Sequence, residues 1–364
     1  MHVALLEARG FRNLHHVRVE LASGITLVHG ANGSGKTNLL EALCVGLTGV
    51  SWRTRADREL VRFGERITRA EATLDDDGEN RRFVASIVLG EGRHHRLNGA
   101  GVGASDVALR PAVALFSPDR MSLIKGPPSE RRRHLDGFVG ALWPSRADLR
   151  GRYGRALAQR NALLTRVRAG AASRDGLRAW DAELAATAAA LVEAREEAVA
   201  CLAPPFRSLA AALGLDGDAE LAYRPRTGTR DAGEIEAQLR ERHGADLERG
   251  HSTHGPHLDE VAVALDGRAL RRFGSQGQQR AALLALIFAE REALMAARGT
   301  PPLMLLDDVT SELDVDRRRL LVEQLQSGGQ AMITATETEH VPDRREHAEV
   351  EIVAGRVGVA AAIG

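Results

Sequence analysis

The run Gly30-Ala31-Asn32-Gly33-Ser34-Gly35-Lys36-Thr37 decides the architecture. It fits G-x-x-x-x-G-K-[ST], follows the apolar stretch GITLVH (24–29), and precedes a segment with Leu39, Leu40, Leu43 and Leu47 at helical spacing. In a strand–glycine loop–helix setting, consecutive backbone N–H groups turn inward around phosphate oxygens, and the helix N-terminus adds a favourable dipole. The glycines allow the backbone to approach closely. Lys36 is placed to reach the β and γ phosphates and the Thr37 hydroxyl to hold Mg2+, with the cradle continuing to Asn38, so the ligand expected here is ATP with Mg2+. Of 49 basic residues only Lys36 and Lys125 are lysine. Where this chain keeps lysine, a compact ammonium is favoured over a planar guanidinium.

Two further stretches extend this chemistry. Leu303-Met304-Leu305-Leu306-Asp307-Asp308 reads as a buried strand ending in two carboxylates. Strand ends carry function in α/β sheets. Asp307 is expected to hold Mg2+ and Asp308 to polarise an attacking water. Ser275-Gln276-Gly277-Gln278-Gln279 opens a long helix predicted over 276–297, with Ser275 as N-cap. Arg280 near that start opposes the helix dipole, and a bound phosphate offsets the conflict. A second phosphate cradle in one chain makes sense if it serves the nucleotide of another subunit.

Around these motifs the pattern is α/β at both ends and helical in the middle. Strands are expected over 3–9, 17–21, 66–75, 80–89 and 111–116, with a turn at Asp77-Gly78 and a glycine-rich loop at 98–103. Residues 146–168 and 177–202 are rich in Ala, Arg, Leu and Glu, and Leu177, Leu184 and Leu191 recur every seven positions. This predicts an antiparallel helical hairpin, with Pro204-Pro205 ending the second arm. Strands follow at 259–265 and 331–335, a helix at 315–326, and a final strand pair turning at Ala354-Gly355. The fold class is therefore an α/β P-loop head split by a mainly helical insertion, divided as 1–118, 119–250 and 251–364.

Composition sets bounds. No stretch approaches 18 consecutive apolar residues, and the N-terminus has no leader pattern, so a cytoplasmic protein with no membrane partner is expected. Cys44 and Cys201 form no disulfide or zinc pattern and are expected to be buried thiols. His254 and His257 lack a third ligand at suitable spacing. Net charge is zero, yet 120–168 holds 12 Lys and Arg against 3 Asp and Glu, while 300–351 holds 5 against 12. Lys125, Arg131, Arg132 and Arg133 in the basic stretch are expected to contact DNA phosphates. With 13 aromatic residues in 364, a base-stacking platform is not expected, so binding should be salt-dependent and insensitive to base sequence.

The loop, the SQGQQ segment, the acidic strand and Ser311-Glu312-Leu313-Asp314 together resemble an ABC-type ATPase head. Phe11-Arg12-Asn13, GKTNLLEAL (35–43), Ser51-Trp52-Arg53-Thr54, LFSPDR (115–120), LIKGPPSERRRHLD (123–136), STHGPHLDE (252–260) and DDVTSELD (307–314) resemble more narrowly the RecF family of bacterial recombination-repair ATPases, across the whole chain. That resemblance implies an ABC/SMC-type head with a short helical stub. It implies that Ser275, Gly277 and Gln278 meet the γ-phosphate held by Lys36 of a second copy, and that Asp314 crosses the interface. It places Thr336 at a switch position, with Thr334 as second choice, and Arg12 and Asn13 beside the nucleotide. Ser117-Pro118-Asp119 lies where many such heads carry a metal-linked glutamine, which is missing here.

The function expected is an ATP-dependent homodimer gripping DNA near single-strand/double-strand junctions, with RecR and RecO as partners and RecA loading downstream. The energising subunit of a transporter and a P-loop small-molecule kinase are the rival readings. The inserted basic hairpin and the form of the signature disfavour the first. The second cradle disfavours the second. Lys36→Arg is expected to abolish most ATP hydrolysis in a folded protein, because a guanidinium fork does not fit a cradle shaped for an ammonium. Steady-state phosphate release alongside circular dichroism checks this, and wild-type turnover in a folded variant contradicts it.

Overall fold

The computed structural model describes residues 2–76, 78–103, 106, 109–309, 315–326, 328–336 and 347–358. In chain order its elements begin with β1 (His2–Phe11), β2 (Leu14–Glu20), β3 (Ile25–His29), α1 (Lys36–Thr48), α2 (Asp57–Leu60), β4 (Ile67–Asp76), β5 (Glu79–Val88), β6 (Gly92–Leu97), β7 (Ala100–Gly101) and β8 (Val113–Phe116). Then come α3 (Ser122–Lys125), α4 (Pro128–Leu142), α5 (Leu149–Arg168), α6 (Leu177–Ala212), β9 (Ala219–Arg224), α7 (Ala232–Glu241), α8 (His243–Arg249), β10 (Glu260–Leu265), β11 (Arg268–Ala269) and α9 (Leu270–Phe273). The last elements are α10 (Gln276–Arg298), β12 (Leu303–Leu306), α11 (Val315–Gln326), β13 (Ala331–Ala335), β14 (His347–Val353) and β15 (Arg356–Val357).

These elements group into two compact units, one of residues 1–120, 212–214 and 290–364, the other of 121–211 and 215–289. The second unit thus takes in 251–289, which the sequence pattern assigned to the head. The reason is that β10 pairs along its length with β9 of the insertion.

In the first unit, two six-stranded sheets sandwich α1. One is antiparallel in the order β2-β1-β4-β5-β6-β7. The other runs β15-β14-β3-β13-β12-β8 and is parallel from β14 to β8. Leu39, Leu40, Leu43 and Leu47 of α1 have no exposed surface and join one apolar core with residues from both sheets. The LMLL strand is buried at every position, as a parallel strand covered on both faces must be. Gln330 ties the sheets' ends together: its amide accepts from Val3 N and donates to Val3 O and Ala22 O, each at 2.7 Å. The expected loop at 98–103 includes the turn of the β6–β7 hairpin, where Asn98 takes φ 50°. Strand β6 (GRHHRL) escapes a hydrophobicity reading because its side chains are largely solvent-facing. Cys44 is buried, which pushes its thiol up to about 11, whereas Cys201 is exposed, against expectation.

In the second unit α5 and α6 form the expected hairpin, joined with α7 through Tyr153, Ala156, Leu184, Ala188, Leu191, Ile235 and Leu239. Helix α6 does not stop at the prolines. Pro204 and Pro205 lie inside it, and it continues to Ala212. Two prolines remove two backbone donors and oppose helix formation. The apolar stripe nevertheless persists through Leu202, Phe206, Leu209 and Ala210, all buried, and that burial outweighs the lost bonds.

Buried arginines organise this unit. Arg160, with no exposed surface, donates to Asp181 (2.8 Å), Asp246 (2.7 Å) and Ser252 (2.6 Å), joining α5, α6, α8 and the STHGPHLDE segment. Arg195 similarly grips Asp136 (2.7 Å), Asp259 (3.0 Å) and the Pro256 carbonyl (2.8 Å). His257 is 2.6 Å from the Tyr153 hydroxyl and His254 is 2.7 Å from Gln238, and burial lowers the pKa of both histidines. That segment is scaffolding for the hairpin's base. Arg160→Ala strands two buried carboxylates and is expected to cost about 3–5 kcal/mol. Urea unfolding measures it, and a loss below about 1 kcal/mol shows that the network is solvated.

Candidate nucleotide site

Two glycines of the loop after β3, Gly30 and Gly35, are required by close approach. Gly30 has φ 146°, and a Cβ there lies 2.3 Å from the Ile352 carbonyl. Gly35 has φ 119°, and a Cβ there lies 2.9 Å from Asn13 Oδ1. Lys36 is 8% exposed and donates back across the loop to Gly30 O (2.7 Å) and Ala31 O (3.1 Å). Burial lowers its pKa, and the charges of Asp308 and Asp307 oppose that shift. The Ser34 hydroxyl is buried with no partner among the described residues, an orphaned polar atom of the kind a bound ligand satisfies. Ala31, Asn32 and Gly33 are exposed at the loop's crest, and Asn38 lies one residue beyond Thr37.

The end of β12 meets this loop. Asp307 Oδ1 accepts from the Thr37 hydroxyl (2.8 Å) and from the Thr334 hydroxyl (2.9 Å). Ser117, in the segment Ser117-Pro118-Asp119, brings its hydroxyl to 3.5 Å from Asp307 Oδ2. Burial raises the pKa of Asp307; the bonds from Thr37 and Thr334 pull it down. Asp308 adopts a left-handed conformation (φ 49°), and its N–H donates to Thr334 Oγ1 at 2.8 Å. Thr334 therefore makes the contact with the acidic strand, while Thr336, the first choice for a switch residue, is half-buried two positions further on. The oxygen set of Thr37 and Asp307 suits a hard divalent cation, and the partnerless Ser34 hydroxyl suits a bound phosphate, so these residues fit Mg2+ and a nucleotide.

A polar ring missed by the sequence reading braces the loop. Glu41 of α1 has no exposed surface and accepts from Arg12 (2.8 Å), Ser51 (2.6 Å) and Arg53 (3.2 Å). Arg53 also donates to Asn38 Oδ1 (2.9 Å), Asn38 donates to Asn13 Oδ1 (2.8 Å), and Asn13 donates to the Gly33 carbonyl (3.2 Å). The FRN, GKTNLLEAL and SWRT stretches thus converge on one carboxylate. A charge inside an apolar heptad (NLLEALC) was the signal available.

The signature belongs to the second unit, together with Lys125, Arg131, Arg132 and Arg133. Ser275 and Gln278 form a reciprocal capping box: Gln278 N donates to Ser275 Oγ at 3.2 Å, and Ser275 N donates to Gln278 Oε1 at 2.9 Å. Gly277 is exposed between them. Asp314 and Ser311-Glu312-Leu313 lie outside the described residues. The residues expected to contact DNA differ in exposure. Arg131 is 6% exposed, bound to Glu260 at 2.6 Å and to the Gly126 carbonyl at 2.9 Å. Arg132 is half-buried and donates to the Asp259 carbonyl (2.7 Å), and Arg133 pairs with Glu130 (3.0 Å). Of the three arginines only Arg131 is drawn inward, while Arg133 stays exposed in a surface pair of little energetic worth. Lys125 is exposed.

Fold and site define a P-loop ATPase head of the ABC/SMC type. The RecF/RecN/SMC N terminal domain family matches residues 2–357. "DNA replication and repair protein RecF" from Heliobacterium modesticaldum is 36% identical over 92% of both chains, and that from Anaeromyxobacter sp. strain K is 39% identical over 93% of both. A solved structure of the recombination mediator protein RecF-ATP in the RecFOR pathway matches with TM-score 0.90 at 26% identity, covering 99% of this chain and 98% of that one. An Smc head bound to the C-winged helix domain of ScpA matches in fold, with TM-score 0.60 at 15% identity and coverage of 100% and 98%. The chain belongs to the RecF family.

Glu41→Gln keeps the volume but removes the charge opposite Arg12 and Arg53. It is expected to lower stability by about 1–3 kcal/mol and to weaken nucleotide binding several-fold. Thermal unfolding with and without a fluorescent ATP analogue tests both; unchanged affinity shows that the ring does not brace the loop.

Proposed function

We propose that this DNA-repair family member is an ATP-operated clamp on DNA. The observation that carries the reading is the Asp307 carboxylate shared by Thr37 and Thr334, which joins the phosphate loop to the acidic strand. The relatives' description as DNA replication and repair proteins, and the ATP-bound state named for the solved neighbour, support it.

ATP is bound by the loop from Gly30 to Asn38. Lys36 exchanges its loop carbonyls for phosphate oxygens, which are charged and therefore stronger acceptors. Mg2+, held by Thr37 and Asp307, neutralises phosphate charge when bound. Arg12 and Asn13 position the loop from the side. The capped helix start at Ser275, Gly277 and Gln278 presents backbone N–H groups to the nucleotide of a second copy, with Asp314 crossing between the two copies. Two such contacts close a homodimer. Closure grips DNA near a single-strand/double-strand junction, and hydrolysis releases it. Asp308 orients the attacking water and Thr336 reports the γ-phosphate. Turnover is slow and rises with DNA. RecR and RecO act with the closed dimer, and RecA loading follows.

Asp308→Asn preserves size and removes the charge that orients water. The variant is expected to bind ATP, to form the dimer, and to hydrolyse at least about a hundredfold more slowly, so that dimer and DNA complex outlive those of the wild type. Asp307→Asn is expected to lose Mg2+ and to weaken nucleotide-driven closure. Light scattering with and without Mg-ATP and gapped duplex, beside single-turnover hydrolysis, separates the two. Wild-type hydrolysis in Asp308→Asn, or failure to dimerise, removes Asp308 from this role.

A further inference from the structure

The scarcity of aromatic residues argued against base stacking, but their placement qualifies that. Among the 13, only Phe63 and Phe273 are largely exposed, at 94% and 69%. Phe63 protrudes from a turn where Arg62 is already engaged by His15 and Glu65. Phe273 differs: it forms one wall of a groove of about 320 Å3 in the second unit. The groove's floor is apolar, from Val261 to Val263 of β10 and Ala269 after the tight turn.

The rim is cationic. Arg271 and Arg272 of α9 and Arg224 at the end of β9 line it. Helix α3 packs beside α9, giving Ile124 to the groove and carrying Lys125, the second of the two lysines, at its exposed end. Lys125, Arg271 and Arg272 have no carboxylate partner among the described residues, and Arg224 has only Glu220 at 4.0 Å. The one acidic wall residue, Glu260, is satisfied by Arg131. An unpaired cationic rim around an apolar slot with an exposed ring matches one ligand chemistry well. Phosphates meet the rim, and a base that is free of its complement lies on the ring. A base inside a duplex is stacked on its neighbours and cannot enter.

We propose that the groove between Phe273 and β10 takes an unpaired nucleotide of a DNA strand, with Arg271, Arg272 and Lys125 on its backbone. The inference rests on the DNA-clamp reading and adds the element that distinguishes a junction from plain duplex. The site lies two residues before the Ser275 cap, so strand occupancy and the signature share one short segment.

The test is fluorescence anisotropy of the full chain with ATP, using a labelled blunt duplex and the same duplex with a single-stranded extension. Phe273→Ala is expected to lose about tenfold in affinity for the extended probe, while blunt-duplex binding stays within about twofold and Phe273→Trp restores the difference. Arg271→Glu with Arg272→Glu is expected to weaken both probes and to lower the salt slope by about one for each phosphate that is no longer neutralised. If Phe273→Ala binds the extension like wild type, the groove assignment falls while wild-type duplex binding keeps the clamp reading. If wild type binds neither probe, both fall. Loss of ATP-driven dimerisation in Phe273→Ala assigns the groove to an interface between copies, and displacement of the extension by an acidic Phe-containing peptide but not by oligothymidine assigns it to a protein partner. Either result overturns the proposal.

Discussion

One carboxylate sets the geometry of the nucleotide site. Asp307 is nearly buried, and a lone charge there is unfavourable unless it receives donors. It receives them from Thr37, at the start of α1, and Thr334, at the end of β13, with Ser117 beyond β8 close by. The parallel register makes this convergence possible. Leu306 stands level with Phe116 and Ile333, and Ala335 with His29, so strand ends distant in sequence finish along one edge. A slip of one residue turns every one of these side chains to the opposite face.

Composition and structure explain each other in the choice of arginine. Interior hubs need one cation to satisfy several acceptors in different directions, and a planar fork does this at low conformational cost. Arg160 reaches two aspartates and a serine, and Arg195 two aspartates and a carbonyl. The lysine of the loop is held otherwise, by two backbone carbonyls, those of Gly30 and Ala31.

The glycine loop, the LMLL strand and α11 were legible because each combines a strong local pattern with the setting that pattern requires. What escaped depends on partners far away in sequence. Nothing near Pro204 announces that Phe206 and Leu209 will be buried and will carry α6 onward. Arg131 looks like the head of a surface cluster until Glu260, on another strand, draws it inward. Glu41 reads as one more charge on an amphipathic helix until Arg12, Ser51 and Arg53 close around it. Ser275 was legible as a cap, and the reciprocal bond from its own N–H to Gln278 completes the motif. The exposed Phe273 shows the limit of composition, since a count of aromatics says nothing of which ones reach the surface.

The placement of β3 has a consequence for how the protein is made. In its sheet, β3 lies between β13 and β14, and Gln330 clamps Val3 across 327 positions of chain. The strand that carries the phosphate loop therefore has neither neighbour until residues 331–353 have been synthesised. The second unit, whose strands and helices meet mostly within 121–289, has no such wait and is free to fold first. On the ribosome the loop is an open-edged peptide long before it is a site, with exposed strand edges that invite pairing with other chains. A chain stalled before β13 holds a complete phosphate-binding motif and no place to bind phosphate.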